Sequence, residues 1–170
     1  MGIPKETTEK AILFSGLLFT GIDHLGTAVG HLQQEFGTII LESPVLDWPY
    51  SSFYREELGE GIKRKLILFE RRIRPETIAD IKLLTNGIEL ELSHKGKRTV
   101  NIDPGYITLS KIVLVTTKNY CHRIYLGKGI YAEVTLYFKN DTYHPTEFTY
   151  QDYKQKEYID FFLKAREFLK

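Results

Sequence analysis

Residues 10–37 read KAILFSGLLFTGIDHLGTAVGHLQQEFG, and this stretch decides the class of the fold. Its first part, Lys10 to Thr20, is largely apolar and is followed by Gly21, which is typical of a central strand buried on both faces of a sheet. Its second part repeats apolar residues at helical spacing and ends at Gly37, a residue suited to the left-handed position after a helix. The apolar positions of this predicted helix are Leu25, Ala28, Val29, Leu32 and Phe36. The stretch therefore predicts a strand and then a helix that covers one sheet face.

A second strand and helix pattern follows. Thr38–Leu41 and Ile62–Ile73 have the composition of strands, and the basic residues at both ends of the longer strand are expected to be exposed. Pro75 suits the first turn of a helix, and Asn86-Gly87 is expected to end it. The apolar stripe of this helix is Ile78, Ile81 and Leu84. The predicted order is strand, helix, strand, strand, helix.

The pattern changes after this helix to one that predicts a hairpin. Residues 88–93 alternate apolar and polar side chains, which indicates a strand with one solvated face, and Arg98–Asp103 is its expected partner. Keeping the apolar residues of both strands on one face requires a three-residue loop, His94-Lys95-Gly96.

A second hairpin is predicted nearer the C-terminus. His122–Leu126 and Ile130–Phe138 flank Gly127-Lys128-Gly129, which we interpret as another three-residue loop. In this register, Arg123 lies across from Glu133.

These elements predict the fold class. Thr149 and Asp152 stand in a capping-box arrangement before an apolar stripe, so the chain should finish with a helix. We expect an α+β protein: a ferredoxin-like βαββαβ core extended by an antiparallel β-meander, with the C-terminal helix packing on the sheet. A length of 170 residues with 42% hydrophobic residues fits a single α+β domain, predicted to span residues 1–170.

Net charge and hydropathy indicate which partners and which cellular location to expect. The formal net charge of +1 creates no strong field toward nucleic acid or membrane. The longest apolar run, Ala11–Phe19, is much shorter than the roughly 20 residues that a membrane span requires. We therefore expect a soluble, cytoplasmic protein with no membrane partner. Its single cysteine, Cys121, is expected to be a buried and unreactive core residue.

Residues 44–61 combine prolines and glycines with several aromatic side chains. The segment is too long and too aromatic for a plain connector, so we expect a packed loop or a flap. Its aromatic residues are Trp48, Tyr50, Phe53 and Tyr54.

The chain contains none of the motifs of the easily recognised enzyme classes: no phosphate-binding loop, dinucleotide fingerprint, zinc-binding helix, paired cysteines or nucleophile elbow. What remains is the polar face of the predicted hairpins. Carboxylates that alternate along paired strands can share a magnesium or manganese ion, which predicts a divalent-metal site at Glu89, Glu91 and Asp103. Arg123 could then hold a phosphate presented by the metal. The alternative is a solvated face with cross-strand ion pairs.

Two further places favour a small anionic ligand. Asn101 and Asp103 end a strand at a proline-glycine turn, a position where ligand contacts often gather. Lys118, His122 and Arg123 surround another turn and could bind an anion, although His122 alone is more typical of a structural histidine. Nucleic acid is not favoured as a partner, because acidic residues interleave with the basic ones throughout. The oligomeric state stays open.

Five segments together resemble one known family: Asn101–Tyr106 (NIDPGY), Thr116–Tyr120 (TTKNY), His122–Tyr125 (HRIY), Gly129–Leu136 (GIYAEVTL) and Thr149–Tyr153 (TYQDY). The chain is identified as a member of the uncharacterised prokaryotic family filed as domain of unknown function 4416. The resemblance spans essentially the whole chain and points to eight ligand-binding positions without giving any of them a role. They are Asn101, Asp103, Lys118, His122, Arg123, Glu133, Tyr150 and Asp152. Some members are described as GTP-binding, yet this chain lacks the phosphate loop and the base-recognition motif of guanine-nucleotide proteins.

Two functions from different classes remain. One is a small enzyme that binds a phosphorylated or nucleotide-like ligand on the polar face, assisted by a divalent metal, with no catalytic residue assigned. The other is a non-enzymatic binding or adaptor domain that contacts a protein, or less readily RNA, through an exposed aromatic patch in residues 44–61. Convergence of the predicted polar residues on one concavity would favour the first function.

Overall fold

The computed structural model of the protein describes residues 11–50 and 52–170. Over these residues the chain forms nine strands in one sheet and four α-helices. The strands are β1 (Ala11–Phe19), β2 (Ile39–Glu42), β3 (Leu46–Asp47), β4 (Lys63–Ile73), β5 (Val100–Ile107), β6 (Lys111–Thr116), β7 (Ile124–Gly127), β8 (Ile130–Lys139) and β9 (Thr142–Pro145). The helices are α1 (Ile22–Phe36), α2 (Arg55–Leu58), α3 (Ile78–Glu91) and α4 (Lys156–Glu167), and short 3-10 turns cover Pro75–Thr77 and Asp152–Lys154. The fold is α+β with an open, antiparallel sheet.

Strand β1 lies in the middle of this sheet. The strand order is β2-β4-β1-β5-β6-β8-β7, with β3 added to β4 and β9 added to β8. All nine residues of β1 are buried, which confirms the prediction of a central strand over the part of it that the structure describes. Its side chains alternate between two cores. Leu13 and Leu17 pack with α1 and α3, whereas Ile12 and Phe14 pack with α4 on the opposite face.

The prediction that α3 ends at Asn86-Gly87 is wrong, because the helix continues to Glu91. The alternation in residues 88–93 is also compatible with a helix: Ile88 and Leu92, four residues apart, both pack into the core, and Leu90 is left 74% exposed. The predicted first hairpin is therefore absent, and a two-residue turn at Lys95-Gly96, with both residues at positive φ, joins His94 to Lys97.

The register predicted for the second hairpin is confirmed. Ile124 pairs with Ala132 and Tyr125 with Tyr131, so Arg123 follows in line opposite Glu133. The predicted loop length is wrong, because β7 ends at Gly127 and β8 begins at Ile130, which leaves only Lys128 and Gly129 in the turn. A β-bulge between Tyr125 and Gly127 takes up the extra residue and preserves the register.

The segment between β2 and β4 was predicted to be a packed loop or a flap. In residues 44–61, apart from Ser51, the chain packs around Trp48, which is 9% exposed and lies against Leu18, Leu58 and Ile62. This confirms a packed aromatic segment.

Cys121 is exposed in the loop between β6 and β7, so the prediction of a buried cysteine is wrong. None of the helices in the described part of the chain is both long and apolar enough to cross a membrane.

A cavity between two separating strands

Strands β5 and β6 are paired at only one end. Gly105, Tyr106 and Ile107 pair with Leu114, Val113 and Ile112, and the register stops there. The rest of β5 toward Val100 and the end of β6 at Thr116 separate. A cavity of about 510 Å³ lies in the gap, and we call it the β5–β6 cavity.

Side chains of α3 replace the missing strand partner of β5. The backbone N–H of Ile102 donates to Glu89 Oε1 at 2.5 Å, and Lys82 Nζ donates to the carbonyl oxygen of Ile102 at 2.9 Å. Burial raises the pKa of Glu89, and the nearby charges of Lys82 and Arg98 offset only part of that effect. The open edge of β5 is thus hydrogen-bonded, but by polar side chains that also line the cavity.

Arg64 of β4 lies at the base of the cavity between two carboxylates. Its Nη1 is 3.1 Å from Asp103 Oδ2 and its Nη2 is 3.1 Å from Asp152 Oδ2. Trp48 Nε1 also donates to Asp152, at 2.8 Å. The expectation of an exposed Arg64 is wrong, since the residue is 4% exposed. Gly16 makes room for it: a Cβ there would lie 2.8 Å from Arg64 Nη1.

Asp103 and Asn101 form the polar floor on β5. The Asp103 side chain keeps 27% exposure within the cavity. Burial alone would raise its pKa, but the charges of Arg64 and Lys82, together with polar contacts from the side chains of Asn101 and Arg64, hold the pKa of Asp103 below its ordinary value. Asn101 is 3% exposed, and its amide nitrogen has no hydrogen-bond partner within 3.5 Å among the described residues. The Asn101 side chain still lies close enough to Asp103 to help lower the pKa of that carboxyl.

Arg98 orients the Asn101 amide. Arg98 Nη1 donates to Asn101 Oδ1 at 2.8 Å and to Glu89 Oε2 at 2.9 Å, while its Nη2 donates to Glu57 Oε2 at 2.5 Å. Because the amide oxygen accepts from Arg98, the amide NH₂ is the group left for the cavity. The floor therefore presents a hydrogen-bond donor beside an ionised acceptor.

A buried polar network supports the far wall of the cavity. Glu133 Oε2 accepts from Arg123 Nε at 2.7 Å and lies 2.9 Å from His122 Nε2. Arg123 Nη2 donates to the hydroxyl of Tyr150 at 2.6 Å, and burial is the main reason that the pKa of Tyr150 is raised. His122 stacks on Phe148 at 4.3 Å and lines a second, shallower groove of about 590 Å³.

Aromatic rings and one lysine form the remaining lining. Trp48 contacts the rings of Tyr50 and Tyr54 edge-on, at centroid distances of 5.9 and 5.6 Å. At the solvent-exposed mouth, Lys118 Nζ lies 4.2 Å from the centroid of Phe53. No carboxylate of the described residues lies within ion-pair distance of this ammonium group.

Six of the eight predicted ligand-binding residues line the cavity: Asn101, Asp103, Lys118, Glu133, Tyr150 and Asp152. His122 and Arg123 lie behind the wall and contact Glu133. Sequence reasoning missed Arg64, Lys82 and Arg98. A signal was present for Arg64, since it continues the face of Leu66 and Leu68 at a spacing of two residues on β4.

The structure does not bring the predicted metal set together. Glu89 and Asp103 line the cavity, but the Glu91 side chain is 69% exposed and lies 3.9 Å from His31. Two residues apart on a helix are about 200° apart around its axis, so Glu89 and Glu91 cannot face one ion. Over residues 11–50 and 52–170, no three histidine, cysteine, aspartate or glutamate side chains are placed to hold a metal.

A family profile for a domain of unknown function, DUF4416, matches residues 9–168. The chain belongs to this family. The DUF4416 match includes every segment that lines the β5–β6 cavity. No curated protein and no solved structure matches the chain.

Proposed function

We propose that the β5–β6 cavity binds a small nucleotide-like ligand, meaning a flat polar ring that carries an anionic group such as phosphate. The observation that carries this proposal is the buried Asn101 amide nitrogen, which has no partner within 3.5 Å among the described residues and lies beside the ionised Asp103 on the floor of an aromatic-walled cavity. A ligand ring with adjacent acceptor and donor atoms would satisfy both groups.

The energetics of the floor favour an occupant. A buried polar group without a partner costs about 1–3 kcal/mol. Asn101 offsets part of that penalty through its contact with Asp103, and a ligand acceptor at hydrogen-bond distance would recover the rest. Asp103 Oδ2 is bonded to Arg64, which leaves its second oxygen to accept from the ligand.

The walls and the size of the cavity fit a ring. The rings of Trp48, Tyr54 and Tyr150 offer faces and edges for a flat ligand, and such contacts tolerate different heterocycles. A volume of about 510 Å³ is within the usual range for small-molecule sites. The aromatic residues of the 44–61 segment line this cavity, although Tyr50 and Phe53 stay 40% and 60% exposed.

No metal is part of the proposal, and the described residues bring no three histidine, cysteine, aspartate or glutamate side chains together. Binding is also favoured over catalysis, since each lining carboxylate is already held: Asp103 and Asp152 by Arg64, Glu89 by Arg98, and Glu133 by Arg123.

Calorimetric titration with nucleosides and nucleoside monophosphates of all four bases tests the proposal. We expect saturable binding to one site, and Asn101→Ala and Asp103→Asn should each weaken it by about tenfold or more. Asp160→Asn, at a half-exposed position of α4 that pairs with Lys156, is the control and should leave affinity unchanged. Absence of binding by any member of the panel would refute the proposal.

We also propose that β1, α1, β2, β4, α3 and β5 form a ferredoxin-like core. The support is the strand order β2-β4-β1-β5 with antiparallel neighbours, which is the order of a split βαββαβ unit. A solution structure with any other order of these four strands would contradict it.

A soluble, cytoplasmic location likewise stays our proposal. Its support is the charged fraction of 26% and a net charge close to zero, both ordinary for a globular protein. Cell fractionation with an antibody to the chain is the measurement that checks it.

A protein-binding role is the second candidate, and strand β7 favours it. This strand ends the sheet, and Ile124 and Tyr125 are 71% and 58% exposed. An uncovered apolar edge of this kind can accept a strand from another chain. If a second copy of the chain is the partner, light scattering should show a dimer that Ile124→Lys dissociates.

A further inference from the structure

We infer that the β5–β6 cavity selects ligands with at most one phosphate group, namely nucleosides and nucleoside monophosphates rather than di- or triphosphates. The inference deepens the proposed function and rests on it. It comes from the way in which the charges of the cavity lining are paired.

Two of the four lining cations are already paired with carboxylates. Arg64 lies 3.1 Å from both Asp103 and Asp152, so it faces two negative charges. Arg98 lies 2.9 Å from Glu89 and also donates to Glu57. Neither guanidinium has a charge to spare for a phosphate chain.

Lys82 is committed as well, because its ammonium group donates to the carbonyl oxygen of Ile102 at 2.9 Å. Its charge also lowers the pKa of Asp103, to a smaller extent than that of Arg64 does. The lysine therefore bonds the open edge of β5 and balances the carboxylate on the floor.

Lys118 differs from the other three cations. Its ammonium group contacts the face of Phe53 at 4.2 Å and has no carboxylate within ion-pair distance among the described residues. Its charge contributes to lowering the pKa of Glu57, but that carboxylate is already bonded by Arg98, whose hydrogen bond is the main cause. One phosphate at the cavity mouth therefore has one cation available.

Further phosphates would meet only carboxylates. The described lining contains four of them, Glu89, Asp103, Glu133 and Asp152. Besides Lys118, its cations are already bonded, Arg64 and Arg98 to carboxylates and Lys82 to the carbonyl oxygen of Ile102. Like charges close together in a partly desolvated site repel strongly.

The positions of the free groups set the orientation of the ligand. Asn101, at 3% exposure, lies at the floor, and Lys118 lies at the exposed mouth. The ring is therefore expected to enter first, with the phosphate facing outward to Lys118.

The experiment is a calorimetric series for each base: nucleoside, monophosphate, diphosphate and triphosphate, measured with EDTA and again with magnesium. We expect the monophosphate to bind about tenfold more tightly than the nucleoside, as one charge-assisted contact provides. The di- and triphosphates should bind no more tightly than the monophosphate.

Lys118→Met provides the matched test. It should lower monophosphate affinity about tenfold, to the level of the nucleoside, and leave nucleoside affinity unchanged. Lys128→Met, at an exposed lysine paired with Asp80, is the control and should change neither value. Thermal unfolding verifies that both variants are folded.

The outcomes separate this inference from the proposed function. Affinity that rises with each added phosphate, or a Lys118→Met variant that weakens nucleoside and monophosphate equally, overturns the selection but leaves a nucleotide-like ligand in place. If no nucleoside or nucleotide binds, the proposed function is wrong and the inference is wrong with it.

Discussion

The two ends of strand β5 differ in the groups that form hydrogen bonds with the edge facing β6. From Gly105 to Ile107, backbone pairs with backbone of β6, and the sheet is closed and apolar. Around Ile102, side chains of Lys82 and Glu89 take the place of the strand. Backbone pairing satisfies polar groups without any polar side chain, whereas side-chain pairing brings charges inward and leaves a gap. The cavity is thus a direct result of the change in partner.

The largest expected effect is the loss of Arg64 at the open end. Arg64→Met would leave Asp103 and Asp152 without their shared cation, and breaking a buried ion pair costs about 3–5 kcal/mol of unfolding free energy. Urea denaturation followed by circular dichroism measures it. Lys63→Met, at the adjacent exposed pair with Asp47, should cost less than about 1 kcal/mol. An equal loss of unfolding free energy in the two variants would contradict the expected difference between the buried and the exposed ion pair.

At the end of β5 that pairs with β6, we expect the free energy of unfolding to fall when side-chain volume is added, because no charged side chain lies in this pairing. A Cβ at Gly105 would lie 2.4 Å from the carbonyl oxygen of Val113 and 2.6 Å from the ring of Phe14. Gly105→Ala should therefore force β5 and β6 apart and cost about 3 kcal/mol in the same assay. Gly26→Ala is the control, because it has nothing within 4 Å on helix α1 and should stabilise by about 0.5–1 kcal/mol. A neutral Gly105→Ala would mean that the two strands are not tightly paired here.

Glu89 and Glu91 provide a smaller test on one helix. Glu89→Ala removes the acceptor for the buried N–H of Ile102, which should cost about 2 kcal/mol and speed hydrogen exchange of that amide. Glu91→Ala, at the exposed position, should change stability by less than about 0.5 kcal/mol. If both residues lay on a strand, as their alternation suggested, the two variants would not separate in this way.

The smallest effect is the pH dependence that Asp103 adds. Its pKa in the folded protein lies below the ordinary value of 3.8, so between those two values the unfolded chain binds more protons. The stability from this carboxylate is therefore complete above the ordinary pKa and is lost as the pH falls through the folded-state pKa. The difference in unfolding free energy between the wild type and Asp103→Asn should be about 1 kcal/mol and constant above roughly pH 5, and should shrink below it. A difference that grew toward low pH would contradict this sign.

The sequence pattern alone predicted the structure where the decisive contacts lie within one strand or one hairpin. The run in β1 and the pairing of Arg123 with Glu133 follow from periodicity, because strand alternation repeats every two residues. Asn101 and Asp103 were instead chosen because a strand was expected to end at a proline-glycine turn, and that prediction is wrong, since β5 continues through the proline and the glycine to Ile107.

The parts that could not be predicted depend on contacts between distant residues. Nothing in residues 86–92 distinguishes helix from strand until Glu89 meets Ile102, thirteen positions away. Cys121 was placed in a strand because its neighbours alternate, whereas the chain turns there and the N–H of Arg123 donates to the carbonyl oxygen of Tyr120. The separation of β5 from β6 has no local signal, since it follows from α3 bonding the edge of β5.

The position of Trp48 has a spectroscopic consequence. It is the single tryptophan of the chain, and its indole N–H donates to Asp152, 104 residues away, beneath the guanidinium of Arg64. Its fluorescence should therefore report the joining of two distant segments at the cavity wall, separately from sheet formation. Stopped-flow refolding that follows emission and circular dichroism together would show whether the wall closes after the sheet has formed, as its long sequence separation leads us to expect.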